Sequence, residues 1–201
     1  MALGNMELKT ALHYELRSAR EAVLAKLDGL SEYDVRRPLT GTGTNLLGLV
    51  KHLSMCESKY FGEVFGRPFP ERMPWWDEDA EDNADMWATA SESRSEVIER
   101  YRRVCGHSDT TIDLLDLDSP GHVPWWPRPN VRLINVIAHV VAETNRHAGH
   151  ADILREQLDG VTGDRDAGPP QHDADWWRKH VATVETAAQK VSSTSSAGSL
   201  G

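Results

Sequence analysis

The chain has 201 residues, 39% of them hydrophobic and 26% charged, which is the composition of a globular protein long enough to bury a core. With 22 Lys and Arg against 31 Asp and Glu it carries a formal charge of −9, a balance that argues against nucleic acid or an anionic membrane surface as partner. No apolar run approaches a membrane span, MALGNMELKT has no signal-peptide core, and Cys56 and Cys105 form neither a CxxC motif nor a disulfide framework, so the expected setting is a reducing cytoplasm.

Leu8, Leu12, Leu16, Ala19, Val23 and Leu27 recur at spacings of three and four, predicting a long amphipathic helix near 6–28 that ends at Gly29. Ser31-Glu32-Tyr33-Asp34 reads as the start of a short helical turn. A second helix is predicted near 45–65, with Thr44 as N-cap and Leu46, Leu49, Val50, Leu53 and Phe61 on its buried side. Residues 66–90 read as irregular, with Pro68, Pro70 and Pro74 ahead of the acidic run DEDAEDNAD.

A third helix is expected near 91–116, capped by Ser91 and burying Val97, Ile98, Tyr101, Val104, Ile112 and Leu115. SPGHVPWWPRPN is a proline-rich loop, and a fourth helix follows over about 131–159, closed by Gly160. A shorter helix is predicted near 173–190, and 191–201 is expected to be a disordered tail behind a single domain over 1–190. No strand pattern or internal repeat stands out. Four long helices with connections of more than ten residues predict an all-α bundle with long crossovers and an extra C-terminal helix, an architecture whose core commonly holds metal sites.

The fourth helix, VIAHVVAETNRHAGHADILREQLDG, carries the chemistry. At about 100° per residue, and taking Glu143 as zero, His147 falls at about 40°, His150 at about −20° and His139 at about −40°. Four potential metal ligands therefore share one narrow face. Glu143 and His147, four residues apart, supply a hard oxygen and a borderline nitrogen suited to zinc and other divalent ions. Alone, such a pair is common on helices, with the carboxylate solvated and the imidazole a hydrogen-bonded interior group. His52, on the apolar stripe of the second helix, tips the balance toward a mononuclear site of three protein ligands with open positions for water or substrate.

Cys56, one turn after His52, reads as a small buried apolar residue and stays outside the ligand set. His150 has either an outer hydrogen-bonding role or contact with substrate, whereas His139 has a structural reading or a place in the pocket wall. Trp75-Trp76 and Trp125-Trp126 lie in proline-rich loops, either covering the bundle ends or walling a pocket for an apolar electrophile. The acidic 77–85 run reads as a solvated face.

LLGLVKHLSMCESKYFGEVFGRP and AETNRHAGHADILREQLDGVTGD closely resemble the two signature blocks of the DinB-like superfamily branch that contains mycothiol-dependent maleylpyruvate isomerase and mycothiol S-transferases. The resemblance extends from the first helix to about residue 164. It implies a DinB-like four-helix bundle holding a divalent ion, often zinc, through three side chains. The branch's first histidine falls on His52. Many members carry HxxxH on the last helix; here Glu143 replaces the first histidine, as a glutamate does in the isomerase, and His147 is the second.

The resemblance further implies a metal-dependent transferase joining a low-molecular-weight thiol, mycothiol, to an electrophilic small molecule in detoxification. The nucleophile is then the co-substrate's sulfur, with no protein cysteine required. The chain has no counterpart of the isomerase's large additional C-terminal domain, which favours the single-domain transferase. Thiol-dependent isomerisation and a non-catalytic metal-binding stress protein are the alternatives. Neither a membrane nor nucleic acid is expected as partner, and both monomer and homodimer fit.

Overall fold

In the computed structural model, which describes residues 3–77, 79–162 and 172–197, the first apolar stripe forms helix α1 (Leu3–Ala25). Leu16, Ala19 and Val23 are buried on it and Leu27 just beyond it, whereas Leu8, expected on the same face, is exposed near the outer end. Turns then close at Gly29, whose φ of 74° suits a residue without a Cβ. The short helix α2 (Glu32–Arg36) is capped by the Ser31 hydroxyl, which accepts the Asp34 N–H.

Helix α3 (Leu46–Glu57) starts at Asn45 instead of Thr44. The Asn45 side chain accepts the Gly48 N–H at 2.8 Å, while the Thr44 carbonyl is already engaged by the Leu39 N–H. The helical path continues through a π-helical turn (Ser58–Gly62) and a 3-10 turn (Glu63–Phe65) to Gly66. Helix α4 (Arg94–Leu114) starts at Ser93, not Ser91, because Ser93 has Glu96 three residues on and the two close a reciprocal capping box.

The proline-rich segment contains a small antiparallel hairpin that the sequence pattern did not reveal, β1 (Pro120–His122) paired with β2 (Asn130–Arg132). Three-residue strands are too short to show a period of two. Gly121 lets the hairpin sit on the end of the α3 path, since a Cβ there would lie 2.9 Å from Val64 and 2.8 Å from Phe65. Helix α5 (Leu133–Asp159) follows at once and ends at Gly160 in the left-handed conformation.

The expected four-helix bundle forms from α1, α3, α4 and α5. Helix α1 packs along α5, and α3 packs against both α4 and α5. Its apolar interior has two parts. One gathers Met55, Tyr60, Phe61, Ile137 and Val140, and the other gathers Leu46, Leu49, Leu53, Ala148 and Ala151. Along α5 the first part ends near Val140 and the second begins at Ala148, so Glu143 and His147 sit at the seam. His52 occupies the matching position on α3. Placing the polar donors between two dry clusters keeps each cluster intact and shields the donors from bulk water.

Chain contacts divide the protein into two units, Met1–Arg165 and Asp166–Gly201, where the sequence led us to expect one domain to 190. The second unit carries α6 (Ala174–Ala197), on which Trp176, Val181 and Val184 are exposed. Residues 191–197, expected in a disordered tail, are helical because no glycine or proline interrupts the chain before Gly198. Residues 198–201 of that expected tail lie outside the described residues. Among the described residues no helix is long and apolar enough to cross a membrane.

Candidate metal centre

Two helices bring the donors together. On α5, Glu143 and His147 are one turn apart, and His147 Nε2 lies 3.0 Å from Glu143 Oε1. On α3, His52 reaches across so that its Nε2 is 3.6 Å from the same carboxylate oxygen, and its ring meets that of His147 edge-on at 4.9 Å. Arg146 Nη1 lies 3.3 Å from the other oxygen of Glu143. Burial pushes the Glu143 carboxyl up, but His147, Arg146 and His52 outweigh it and hold it below the usual carboxylate range. Burial and the nearby His52 charge together lower His147.

The opposite nitrogen of His52 has its own partner. Asp85 Oδ2 accepts from Nδ1 at 2.6 Å. Burial alone would lower His52, yet its hydrogen bonds to Asp85 and Cys56 push it up to about 10. The same contact holds Asp85 low. Asp85 comes from the acidic run that reads as a solvated face; Asp79, Glu81, Asp82 and Asn83 of that run are exposed, whereas Asp77, Ala80, Ala84 and Asp85 are partly buried. No spacing rule could single it out, because a loop residue's reach depends on where the loop lands.

Here the landing is set by Gly48, one turn before His52 on α3. A Cβ at Gly48 would lie 1.8 Å from the Met86 carbonyl oxygen, so only glycine lets the 84–86 turn rest on the helix. Asn45 Nδ2 and Lys51 Nζ fasten that turn by donating to the carbonyls of Met86 (3.2 Å) and Trp87 (2.9 Å).

Two further histidines of the α5 face part company. His150 Nδ1 lies 3.3 Å from His147 Nδ1, the nitrogen turned away from Glu143. His139 leaves the donor group for an aromatic cluster, with ring centroids 4.7 Å from Tyr60 and 4.8 Å from Trp126. Trp125 and Trp126 both donate their indole N–H to the Tyr60 hydroxyl, at 3.3 and 3.1 Å. Lys59 lies 3.2 Å above the Trp76 ring and 5.0 Å from that of Trp125. Trp75 turns elsewhere, between Lys51 and Arg100.

So three of the four loop tryptophans gather around Lys59 and Tyr60, one turn beyond the donors, and the fourth does not. Tyr60 and Lys59 escaped the sequence reading because the π-helical turn shifts their direction. A cleft of about 190 Å³ beside Trp76 is lined by Ser58, Lys59, Met73 and Asp77 as well. A wider one of about 600 Å³, bounded by Arg36, Arg94 and Ile98, contains none of the donors.

The donor chemistry fits a divalent ion. Ligands 2.0–2.3 Å from one tetrahedral ion stand roughly 3.3–3.7 Å apart, close to the separations of 3.0 and 3.6 Å that link Glu143 to the two imidazoles. A carboxylate on the outer nitrogen of a ligating histidine is the usual partner that fixes its tautomer. Cys56, set aside on sequence grounds, stands where His147 was expected in the tightest such group: ligand atoms of His52, Cys56 and Glu143 all fall within 4.8 Å of one another, and His147 joins them through Glu143.

A crystal structure described as the conserved protein of a locus from Enterococcus faecalis matches with a TM-score of 0.56, covering 76% of this chain and 97% of that one at 13% identity. That likeness shows that the two chains share this helical-bundle fold. No curated protein matches the chain. The family model described as mycothiol-S-transferase matches residues 11–160, from α1 to the glycine that ends α5 and so across every donor named above, and the chain belongs to that family.

Proposed function

We propose that the protein is a divalent-metal-dependent transferase that conjugates mycothiol to an electrophilic small molecule, with zinc as the ion and His52, Glu143 and His147 as its ligands. The observation that carries this reading is the convergence of two imidazole Nε2 atoms on one carboxylate oxygen at the seam of the bundle. A divalent ion held there supplies Lewis acidity, under which a coordinated thiol loses its proton near neutral pH.

The chain's own residues do the rest. Asp85 accepts the Nδ1 proton of His52, so that Nε2 is the nitrogen that would give up its proton to an ion at the centre. His147 Nδ1 faces His150 Nδ1 at 3.3 Å, which gives its proton a partner there when Nε2 turns from Glu143 to an ion. His150 is exposed and stands where a proton released at the centre can pass outward to water. Glu143 contributes the negative charge that balances a divalent ion. The cluster of Trp76, Trp125, Trp126 and Tyr60 offers indole faces for the sugar rings of the thiol or for an apolar acceptor. Trp75 faces Lys51 and Arg100 and has no part in this binding surface.

The deciding experiment follows conjugation of mycothiol to a bimane or chlorinated aromatic by the metal-loaded chain. Wild type should accelerate it, Glu143→Ala should not, and the double variant Cys56→Ser/Cys105→Ser should retain it because the nucleophile comes from the co-substrate. Activity surviving in Glu143→Ala but lost in the double cysteine variant would overturn the reading. Thiol recovered unchanged after turnover would point to isomerisation instead of transfer.

A further inference from the structure

We propose that Cys56 is a fourth donor to the ion of this centre, so that a sulfur of the protein occupies the position an incoming thiol must take. The inference rests on the metal reading above but not on the transferase reaction.

In sequence, Cys56 is an ordinary small residue one turn after His52. In the structure it is buried, and its Sγ lies 3.3 Å from His52 Nε2, the nitrogen opposite the one that Asp85 engages. The same sulfur lies within 4.8 Å of a Glu143 oxygen. A sulfur about 2.3 Å and a nitrogen about 2.0–2.1 Å from one tetrahedral ion stand roughly 3.5 Å apart. Cys56 and His52 are therefore spaced for a shared ion almost without movement, and both are carried by one helix turn with little freedom to separate. Three donor types from two helices meet here; the cysteine is not an isolated thiol. Cys105 differs in kind, since its sulfur lies 3.7 Å from the buried Glu57 carboxylate and faces none of the donors.

Two consequences follow from the chemistry of sulfur. A soft ligand biases the site toward zinc and away from harder divalent ions that oxygen and nitrogen alone would tolerate. A thiol co-substrate also competes with a group of its own class. Exchange needs no oxidant or reductant: the incoming thiol gives up its proton, and the displaced Cys56 sulfur takes one up.

The test is to load the full chain with cobalt(II) in the absence of any free thiol, and to record bound metal and the near-ultraviolet spectrum. A sulfur-to-cobalt charge-transfer band is expected in wild type and in Cys105→Ser, and its loss is expected in Cys56→Ser. Bound cobalt without the band, or a band that persists in Cys56→Ser, overturns the proposal. A chain that binds no cobalt overturns it together with the metal reading. Should Cys56→Ser fail to fold, X-ray absorption at the zinc edge of the wild type decides, with a sulfur neighbour expected and its absence overturning. A chain with the band and no conjugating activity would refute the transferase reading while leaving Cys56 as a ligand.

Discussion

Asp85 Oδ2 stands 2.6 Å from His52 Nδ1, and through this contact an irregular loop controls a donor on α3. In the metal-free protein His52 is raised to about 10. A folded-state pKa above the unfolded value stabilises the fold fully below about 6.5, and that stabilisation is lost as pH rises through the folded value. Thermal stability of the metal-free wild type should therefore decline between pH 7 and 10, and Asp85→Asn should flatten the decline. The same variant should weaken metal binding by about 10–100-fold. Identical pH slopes in the two proteins would show that the contact does not govern His52.

Gly48→Ala tests the same relationship from the helix side. A Cβ there would lie 1.8 Å from the Met86 carbonyl oxygen, so the loop must lift. The expected cost is about 1–3 kcal/mol of stability, read by thermal denaturation. His52, deprived of Asp85, should titrate lower by nuclear magnetic resonance. An unmoved His52 titration would mean that the loop reaches His52 without Gly48.

His147→Ala should release most of the bound metal while leaving a folded helical protein, because the two apolar clusters on either side of the seam survive the change. Elemental analysis and circular dichroism check this together. Full metal retention would rule out His147 as a ligand.

Trp126→Ala removes a ring that touches both Tyr60 and His139. Turnover of the acceptor or thiol should fall about two- to tenfold if the ring stacks on a bound molecule at about 0.5–1.5 kcal/mol, with metal content unchanged. Loss of metal in step with loss of activity would assign Trp126 to the scaffold instead of the binding surface.

What could be read from the sequence, and what could not, divides along the range of the interactions. Helical periodicity placed Leu46, Leu49, Leu53, Val97 and Tyr101 in the interior, and all are buried. It also put His52, Glu143 and His147 on facing stripes, because residues on one helix keep fixed angular relations. Asp85 was not legible, since its position depends on a loop seated against Gly48. Cap positions slipped by a residue or two because competing cap-forming side chains stood close together: Thr44 beside Asn45, and Ser91 near Ser93. Residues 120–132 read as loop because three-residue strands leave no pattern behind.

The π-helical turn at Ser58–Gly62 has a consequence for anyone who would move this centre to another scaffold. A π turn takes one residue more per turn than an α turn, and it rotates everything after Cys56 relative to an unbroken helix. Deleting one residue from 58–62 would restore regular hydrogen bonding and swing Tyr60 off the hairpin, while His52 and Cys56 stayed in place. Ligands grafted onto a straight helix would thus reproduce an ion-binding stripe and lose its aromatic neighbour. His52 and Cys56 on one side and Tyr60 on the other are phased separately along a single rod, and the offset between them is one amino acid.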